Sequence, residues 1–282
     1  MKRQTLTEAV NRLYENCAAN IVTAEDAISP DLAGLRIYDR PVIGIGSADD
    51  TLFTDFQKPG IIGPWFMKPE QWLGSAKTVI AMFFPFSQQV RESNRCMTDG
   101  PSAPWLHGRI EGQIFLRTFI ASLKDWMESQ GIQACAPMID ERFSDAQGRP
   151  AYQEFGCTEP LVYSSNWSER HVAYLCGLGT FGLSKGLITE KGMAGRFTSL
   201  IISEPMECDP RPYSGVYDNC IRCGACVSRC PAGAISLELG KNHELCQKYV
   251  AETSKKHAPR YGCGLCQTAV PCECQKPAEC GR

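Results

Sequence analysis

The feature that most constrains this chain is the crowding of its thiols toward one end. Eleven of its sixteen cysteines fall between Cys208 and Cys280. Many cysteines in a short secreted chain indicate disulfides, but this chain has 282 residues and 43% of them are hydrophobic, which is enough to build a core without disulfides. The uneven distribution therefore predicts a metal-binding segment in the C-terminal part of the chain.

The run NCIRCGACVSRCPAGAI at residues 219–235 carries four of these thiols at a defined spacing. Two, two and three residues separate consecutive members of the set Cys220, Cys223, Cys226 and Cys230. This spacing, followed by Pro231, is that of bacterial ferredoxins, in which three thiolates hold one 4Fe-4S cluster and the fourth ligates another. Gly224 lets the backbone approach the first cluster, and Pro231 begins a helical turn that carries Cys230 away. The run therefore predicts two clusters.

A second cysteine-rich run, YGCGLCQTAVPCEC at residues 261–274, supplies further ligands. The predicted ligands of the first cluster are Cys220, Cys223, Cys226 and Cys272. The predicted ligands of the second cluster are Cys230, Cys246, Cys263 and Cys266. Each run thus lends one cysteine to the other cluster, as in two-cluster ferredoxins. Cys274 is close enough in sequence to replace Cys272, so this choice stays open, although Cys272 is favoured because it follows Pro271.

Zinc is the main alternative metal for these thiols. Zinc sites usually take four thiolates in two C-x-x-C pairs, and a run of three thiols at x2 spacing that ends in Cys-Pro is not typical of them. The sequence therefore favours iron-sulfur clusters over zinc and over a redox-active dithiol. The thiols outside the two runs are interpreted as small buried hydrophobic side chains without chemistry: Cys17, Cys96, Cys135, Cys157 and Cys176.

The rest of the chain predicts an α/β domain. The continuous apolar run at residues 76–86 predicts a strand covered on both faces, in the middle of a sheet. Helical spacing of apolar residues predicts a first helix with Thr5 and Glu8 as a capping box, a helix at residues 109–129, and a helix at residues 168–176 with Ser168 as its cap. Helices alternating with buried strands predict a two-layer or three-layer α/β architecture.

A change of composition marks the predicted domain boundary. Cys, Gly and Pro become frequent after residue 204, so the boundary is placed between Glu204 and Asn219. The predicted domains are an α/β domain that binds a cofactor or substrate, residues 1–206, and a ferredoxin-like domain with two 4Fe-4S clusters, residues 207–282.

Charge and hydropathy limit the kinds of partner and the cellular location that the sequence predicts. The formal net charge is −2, and basic residues alternate with acidic ones instead of forming a patch, so nucleic acid is predicted to be an unlikely partner. The first twenty residues contain no apolar segment typical of a signal peptide, and no apolar run approaches the length of a membrane span. The sequence therefore predicts a soluble, cytoplasmic protein without a membrane partner.

A glycine loop and a few polar residues are further candidates. The segment GLGTFG, with Gly177, Gly179 and Gly182, matches G-x-G-x-x-G, but it follows a predicted helix and not a strand, which does not favour a dinucleotide site. Its glycines predict a close approach, either by a packed element or by a flat ligand. His107 and His171 are candidate metal ligands, but packing is the commoner role of a lone histidine. Tyr163 is a candidate proton donor if its hydroxyl reaches a pocket.

The segment ERHVAYLCGLGTFG at residues 169–182, the strand SAKTVIAMFFPF and both cysteine runs with Cys246 between them resemble one family. This is the epoxyqueuosine reductase family, which is similar to the cobalamin-dependent reductive dehalogenases. The resemblance implies an N-terminal cobalamin-binding α/β domain related to the nitroreductase fold, and a C-terminal module whose two 4Fe-4S clusters deliver electrons to cobalt. The family has a cysteine where this chain has Val270, and a catalytic aspartate where this chain has Tyr163. A tyrosine as proton donor is a feature that resembles the dehalogenases.

The sequence and the resemblance together predict an iron-sulfur oxidoreductase. An external low-potential donor of the ferredoxin or flavodoxin type is expected to reduce the clusters, which reduce a corrinoid or a small-molecule substrate in the α/β domain. A non-catalytic electron-transfer or corrinoid-handling protein is the alternative. A purely structural cluster is less favoured, because two adjacent clusters form a conduction path that a structural role does not need.

Overall fold

The computed structural model describes residues 1–145, 155 and 163–278 of the chain. Its helices are α1 (Arg3–Asn16), α2 (Leu52–Phe56), α3 (Pro69–Trp72), α4 (Gln88–Arg95), α5 (Ala103–Arg109), α6 (Glu111–Ser129), α7 (Glu169–Leu175), α8 (Ala225–Ser228) and α9 (His243–His257). Its strands are β1 (Val42–Ser47), β2 (Thr78–Pro85), β3 (Ala134–Cys135), β4 (Gly179–Phe181), β5 (Leu187–Thr189), β6 (Gly195–Ile202), β7 (Ile235–Ser236) and β8 (Gly240–Lys241). Across these described ranges, none of the helices has the length and apolar character needed to span a membrane.

Strand β2 is an interior strand of a four-stranded antiparallel sheet with the order β1-β2-β6-β3. Ile80 of β2 lies opposite Ile45 of β1 and Leu200 of β6, and all eight residues of β2 are buried. Successive side chains of the strand enter two different cores, Ile80, Met82 and Phe84 in one and Val79, Ala81 and Phe83 in the other. Because both faces are covered, the strand is continuously apolar. The predicted mid-sheet strand is confirmed.

Helices cover both faces of this sheet. On one face, Val10 of α1 and Phe115 and Phe119 of α6 pack in one core with Phe84. On the other face, α7 packs together with a group of aromatic rings, which are Phe53, Phe56, Phe66, Trp72 and Trp167. The predicted α/β class is confirmed, and the arrangement is helix, sheet, helix.

Two predicted helix caps are wrong. Thr5 and Glu8 lie inside α1, which begins at Arg3 with no side-chain cap. Long-range contacts set this start, because Arg3 Nη1 donates to Asp209 Oδ1 at 2.6 Å and the terminal amine contacts Glu204 at 2.7 Å. Ser168 does precede α7, but its hydroxyl lies 2.8 Å from His171 Nδ1 and does not bond the helix backbone.

A buried ion-pair network fastens the C-terminal part of the chain to the α/β layers. Arg260 contacts Glu111, whose Oε2 also lies 3.0 Å from His107 Nδ1. Burial raises the pKa of Glu111, but hydrogen bonds from His107 and Arg260 outweigh it and hold this pKa below its ordinary value. Arg229 donates to the carbonyl oxygens of Met97 and Thr268 at 2.8 and 3.1 Å. The cysteine-rich segment therefore has a fixed position on the α/β layers.

Candidate metal-cluster site

One cavity lies where the cysteine-rich segment meets the α/β layers. Four thiols line it, those of Cys220, Cys223, Cys226 and Cys272. We call these four residues the first thiol group. Apolar side chains, including Leu183, Ile188 and Val270, form much of the remaining wall. Four thiols in a largely apolar cavity are a donor set that suits a 4Fe-4S cluster.

Backbone geometry explains how the first three thiols converge on the cavity. Arg222 and Gly224 both have positive φ, +51° and +76°, so the chain turns sharply twice between Cys220 and Cys226. Asn219 anchors the start of this loop, since its backbone N–H donates to Thr180 Oγ1 at 2.7 Å and its side chain donates to the Ile188 carbonyl at 2.8 Å. The loop is therefore folded around the cavity.

The structure distinguishes the two candidates for the fourth thiol of this group. Cys272 lines the cavity and its Sγ lies 3.2 Å from Met193 Sδ, whereas Cys274 is exposed and is not among the lining residues. Burial, and then the nearby thiols of Cys226, Cys220 and Cys223, raise the pKa of Cys272 to about 12. Cys272 is thus close to the other three thiols of the first group.

A second set of four thiols lies close together. Burial raises the pKa of Cys263 to about 12, and Cys266, Cys246 and Cys230 contribute to the rise. These four residues form the second thiol group. Cys246 lies in the first turn of α9, which the Asn242 side chain caps by accepting from Leu245 N–H at 3.0 Å. The two sets of thiols that lie together in the structure are therefore the two sets predicted from the cysteine spacing.

The effect of these thiols on one another's pKa indicates which kind of metal centre they can bind. The thiols raise one another's pKa, both within each group and from Cys266 to Cys226 between the groups, because neighbouring thiolates repel one another in a buried setting. A bound metal cluster removes this repulsion and displaces the protons. Among the described residues, no group of His, Cys, Asp or Glu is arranged around a single metal ion. Thiols around an iron-sulfur cluster stand farther apart than thiols around one zinc ion, because the cluster lies between them.

Tyr163, the predicted proton donor, lies beside the second thiol group. Its hydroxyl is 4.0 Å from Cys246 Sγ, and its ring packs edge-on against His243 with 5.7 Å between centroids. Its φ is +56°, an uncommon value for a residue other than glycine, and 39% of its surface is exposed. Burial, followed by the neighbouring Cys246, raises the pKa of the phenol. The hydroxyl is therefore held in its neutral, proton-bearing form.

Three arginines near the second thiol group were not predicted from the sequence. Arg109, Arg170 and Arg196 come from α5, α7 and β6, and none of the three forms an ion pair in the part of the chain that the structure describes. Arg109 donates to the Tyr261 hydroxyl at 2.8 Å, and Arg196 donates to Gln113 Oε1 at 2.5 Å. Burial, and then the neighbouring cations Arg109 and Arg170, lower the pKa of Arg196 to about 10. No local sequence pattern links three residues on three elements.

The glycine loop approaches the chain itself at two of its three glycines. A Cβ on Gly177 would lie 2.6 Å from the Pro210 carbonyl oxygen, and one on Gly179 would lie 2.1 Å from the Ile188 carbonyl oxygen. Gly179 begins β4, which pairs with β5, so the close approach there is strand pairing. Gly182 lines the cavity of the first thiol group. The sequence left open whether a packed element or a flat ligand approaches these glycines. At Gly177 and Gly179 it is the chain itself that approaches.

The two candidate histidines have packing roles. His107 is fully buried between Glu111 and the Ile28 N–H, which donates to its Nε2 at 3.2 Å. His171 packs against Phe56 and Phe181, and burial lowers its pKa to about 4. Neither lies in a group of metal-binding side chains within the described ranges.

Comparison with known proteins places these observations in context. The family model of the 4Fe-4S binding domain matches residues 215–236, which include Cys220, Cys223, Cys226 and Cys230. The epoxyqueuosine reductase of Listeria monocytogenes serovar 1/2a is 30% identical over 121 residues, 39% of this chain and 31% of that protein. The enzyme of the same name from Staphylococcus aureus is 30% identical over 122 residues, with the same coverage. The match thus covers about a third of the length of these relatives.

Solved structures share the fold over more of the chain. An epoxyqueuosine reductase with an epoxyqueuosine-modified tRNA stem loop has a TM-score of 0.52 and 19% identity, covering 97% of this chain and 67% of that one. A reductive dehalogenase whose structure suggests a mechanism for B12-dependent dehalogenation has a TM-score of 0.52 and 16% identity, covering 84% of this chain and 30% of that one. The tRNA stem loop belongs to that relative, and the prediction that nucleic acid is an unlikely partner of this chain stays a prediction.

The resemblance predicted from the sequence motifs is therefore confirmed by both kinds of comparison. The similarity to the curated relatives lies in about two fifths of the chain, and the similarity of fold extends over nearly all of it. This chain contains a 4Fe-4S binding domain and has the fold of the epoxyqueuosine reductases and the reductive dehalogenases.

Proposed function

We propose that this chain is an iron-sulfur oxidoreductase in which eight thiolates hold two 4Fe-4S clusters and deliver low-potential electrons to a corrinoid or substrate bound in the α/β domain. One observation carries the proposal: the thiols fall into two groups, and each run contributes one thiol to the other group. Cys230 is among the thiols that raise the pKa of Cys263, and Cys272 lines the same cavity as Cys220, Cys223 and Cys226. Such an exchange places two clusters side by side, which suits electron transfer.

The proposed roles follow from position. The first thiol group holds one cluster against the apolar wall at Ile188 and Val270, and the second thiol group holds the other near Tyr163. A 4Fe-4S cluster supplies one-electron transfer when bound. We assign residues 1–206 to the cofactor or substrate domain and residues 207–282 to the cluster domain. The residues that contact both, such as Arg260 and Glu111, keep the clusters at a fixed distance from the α/β domain.

Three arginines indicate the chemistry of the ligand. Arg109 and Arg196 are half-buried and Arg170 is exposed, and none of the three has a carboxylate partner among the described residues, so together they form a positively charged site that attracts an anion. Phosphate is a good partner for guanidinium groups, and both a cobalamin and a nucleotide of RNA carry phosphate. We therefore propose a phosphate-bearing ligand beside the second thiol group. The tRNA stem loop seen with a relative of this fold makes RNA one such ligand.

A non-catalytic electron carrier or corrinoid-handling protein is the second candidate. It is favoured by the position of Tyr163, which stands where the resembling family has its catalytic aspartate. Its hydroxyl contacts Cys246, a proposed cluster ligand, at 4.0 Å. In this candidate the tyrosine covers the second cluster and transfers no proton.

Cobalamin addition to the anaerobically purified protein distinguishes the two candidates. The reductase predicts binding with a shift of the visible spectrum toward the base-off form, followed by reduction of cobalt when a low-potential donor is added. Cys230→Ala should leave cobalamin binding intact and block this reduction, because it disrupts the second cluster. The exposed Cys96→Ala serves as a matched control that should change neither step. Absence of binding and of any spectral change would refute the corrinoid form of the proposal.

A further inference from the structure

The loop that carries Cys272 differs from the pattern of the family that the chain resembles. Val270 occupies the place of the family's cysteine, and its side chain lines the cavity of the first thiol group. Two residues later, Cys272 reaches the same cavity, while Cys274 stays exposed. The chain must therefore hold the segment from Val270 to Cys274 in a defined orientation, so that one of two nearby thiols faces inward.

Glu273, between the two cysteines, is the most firmly held side chain of this loop. Only 3% of its surface is exposed. Arg95 Nε donates to both of its carboxylate oxygens at 2.8 and 2.9 Å, and Arg91 Nε lies 3.7 Å from Oε1. The backbone N–H of Ala269 donates to Oε2 at 2.8 Å. One carboxylate thus joins helix α4 to both ends of the loop.

Backbone hydrogen bonds hold the other side of the loop. The Met193 N–H donates to the Cys272 carbonyl at 2.9 Å, and the Ala194 N–H donates to the Glu273 carbonyl at 3.0 Å. Gly192 makes room for this approach, since a Cβ there would lie 2.3 Å from the Glu273 carbonyl oxygen and 2.5 Å from the Cys274 nitrogen. The segment before β6 thus binds the backbone of the loop, and α4 binds the Glu273 side chain.

We propose that Glu273 is a positioning residue that selects Cys272 as the fourth ligand of the first cluster. Its carboxylate accepts from Arg95 and from the Ala269 N–H, while the Cys272 and Glu273 carbonyls accept from Met193 and Ala194, and these bonds together fix the orientation of the loop. In this orientation Cys272 lines the cavity and Cys274 is exposed. This inference rests on the proposed function, because it requires a cluster in the first thiol group.

The charge of Glu273 adds a second effect. Arg91 and Arg95 are two cations on consecutive turns of α4, and Glu273 is the carboxylate that both contact. Removing its charge makes the surroundings of the first cluster more positive, because these two cations lose the carboxylate that both contact. Positive charge stabilises the reduced, more negative form of a cluster, so the reduction potential of the first cluster should rise. A role confined to folding would not move the potential of one cluster alone.

The test compares Glu273→Gln with Glu92→Gln in the full-length, anaerobically reconstituted protein. Glu92 lies on the same helix but is exposed, so its change is a matched control. We expect Glu273→Gln to raise the potential of the first cluster and to speed its loss to an iron chelator at least tenfold, with the spectrum of the second cluster unchanged. Glu92→Gln should behave as the unmodified protein. Arg95→Lys, which keeps the charge but loses the two-oxygen contact, should speed chelation without the full rise in potential.

The outcomes separate this inference from the proposed function. If the unmodified protein holds two clusters and Glu273→Gln changes neither the chelation rate nor the potential, the positioning role is refuted and the proposed function stands. If the unmodified protein lacks the first cluster, both are refuted. Should Glu273→Gln fail to fold, Arg95→Lys still tests the inference, since wild-type chelation kinetics in that variant would contradict it.

Discussion

Replacing Glu169 with glutamine should change how the stability of this protein depends on pH. Glu169 is the first residue of α7, and both of its carboxylate oxygens are buried without a hydrogen-bond partner among the residues that the structure describes. Burial raises its pKa from an ordinary 4.5 to about 7, although the nearby Ser199 lowers it somewhat. The folded protein therefore binds this proton more tightly than the unfolded chain does.

The sign and size of the effect follow from this difference in pKa. The stabilisation that comes from the protonated form is fully present below pH 4.5 and is lost as the pH rises through about 7. A rise from 4.5 to about 7 corresponds to a loss of about 3 kcal/mol at most. Glutamine has nearly the same shape and no charge, so Glu169→Gln should match the unmodified protein near pH 5 and exceed its stability at pH 8.

Urea unfolding followed by tryptophan fluorescence between pH 5.5 and 8 measures this effect. Because loss of a bound cluster makes unfolding irreversible, midpoints should be compared after equal incubation under anaerobic conditions. Glu25→Gln, at an exposed position, is the control and should leave the profile unchanged. Parallel pH profiles for Glu169→Gln and the unmodified protein would show that the carboxyl group is not buried and unpaired as described.

Four further substitutions test three other predictions. Cys272→Ser should alter the spectrum of the first cluster only, while Cys274→Ser should alter neither cluster; the reverse result would transfer the ligand to Cys274. Glu111→Gln should destabilise the protein by about 3 kcal/mol at neutral pH, because it leaves Arg260 buried without its charged partner, and this difference should shrink as the pH falls below 4.5. Tyr163→Phe should leave both clusters intact and slow turnover of any reduced substrate by a factor of about 10² to 10⁴ if the tyrosine is the proton donor, and an unchanged rate would favour the electron carrier.

The parts of the fold that were predicted correctly depend on local pattern. Strand β2 is apolar on both faces because its alternate side chains enter two cores. A continuous apolar run in the sequence is therefore enough to predict such a strand. The cysteine spacing is equally local, since a loop of seven residues from Cys220 to Cys226 wraps one cavity. Both features are determined by residues that are close together in the sequence.

The parts that were missed depend on contacts between distant residues. The start of α1 is set by Arg3 and Asp209, which are 206 residues apart, so the local capping pattern at Thr5 has no effect. Arg95 and Glu273 are 178 residues apart, and nothing in either segment indicates the other. The GLGTFG segment predicted a close approach, but only the fold shows that β5 makes it.

Iron and acid-labile sulfide in the anaerobically purified, unmodified protein test the central claim most directly. Two 4Fe-4S clusters require about eight irons and about eight sulfides per chain. Cys230→Ala, measured in parallel, should lower both values toward about four by disrupting the second cluster. An unmodified protein that reaches a plateau at about four irons, or that contains stoichiometric zinc, would contradict the assignment of eight thiolates to two clusters.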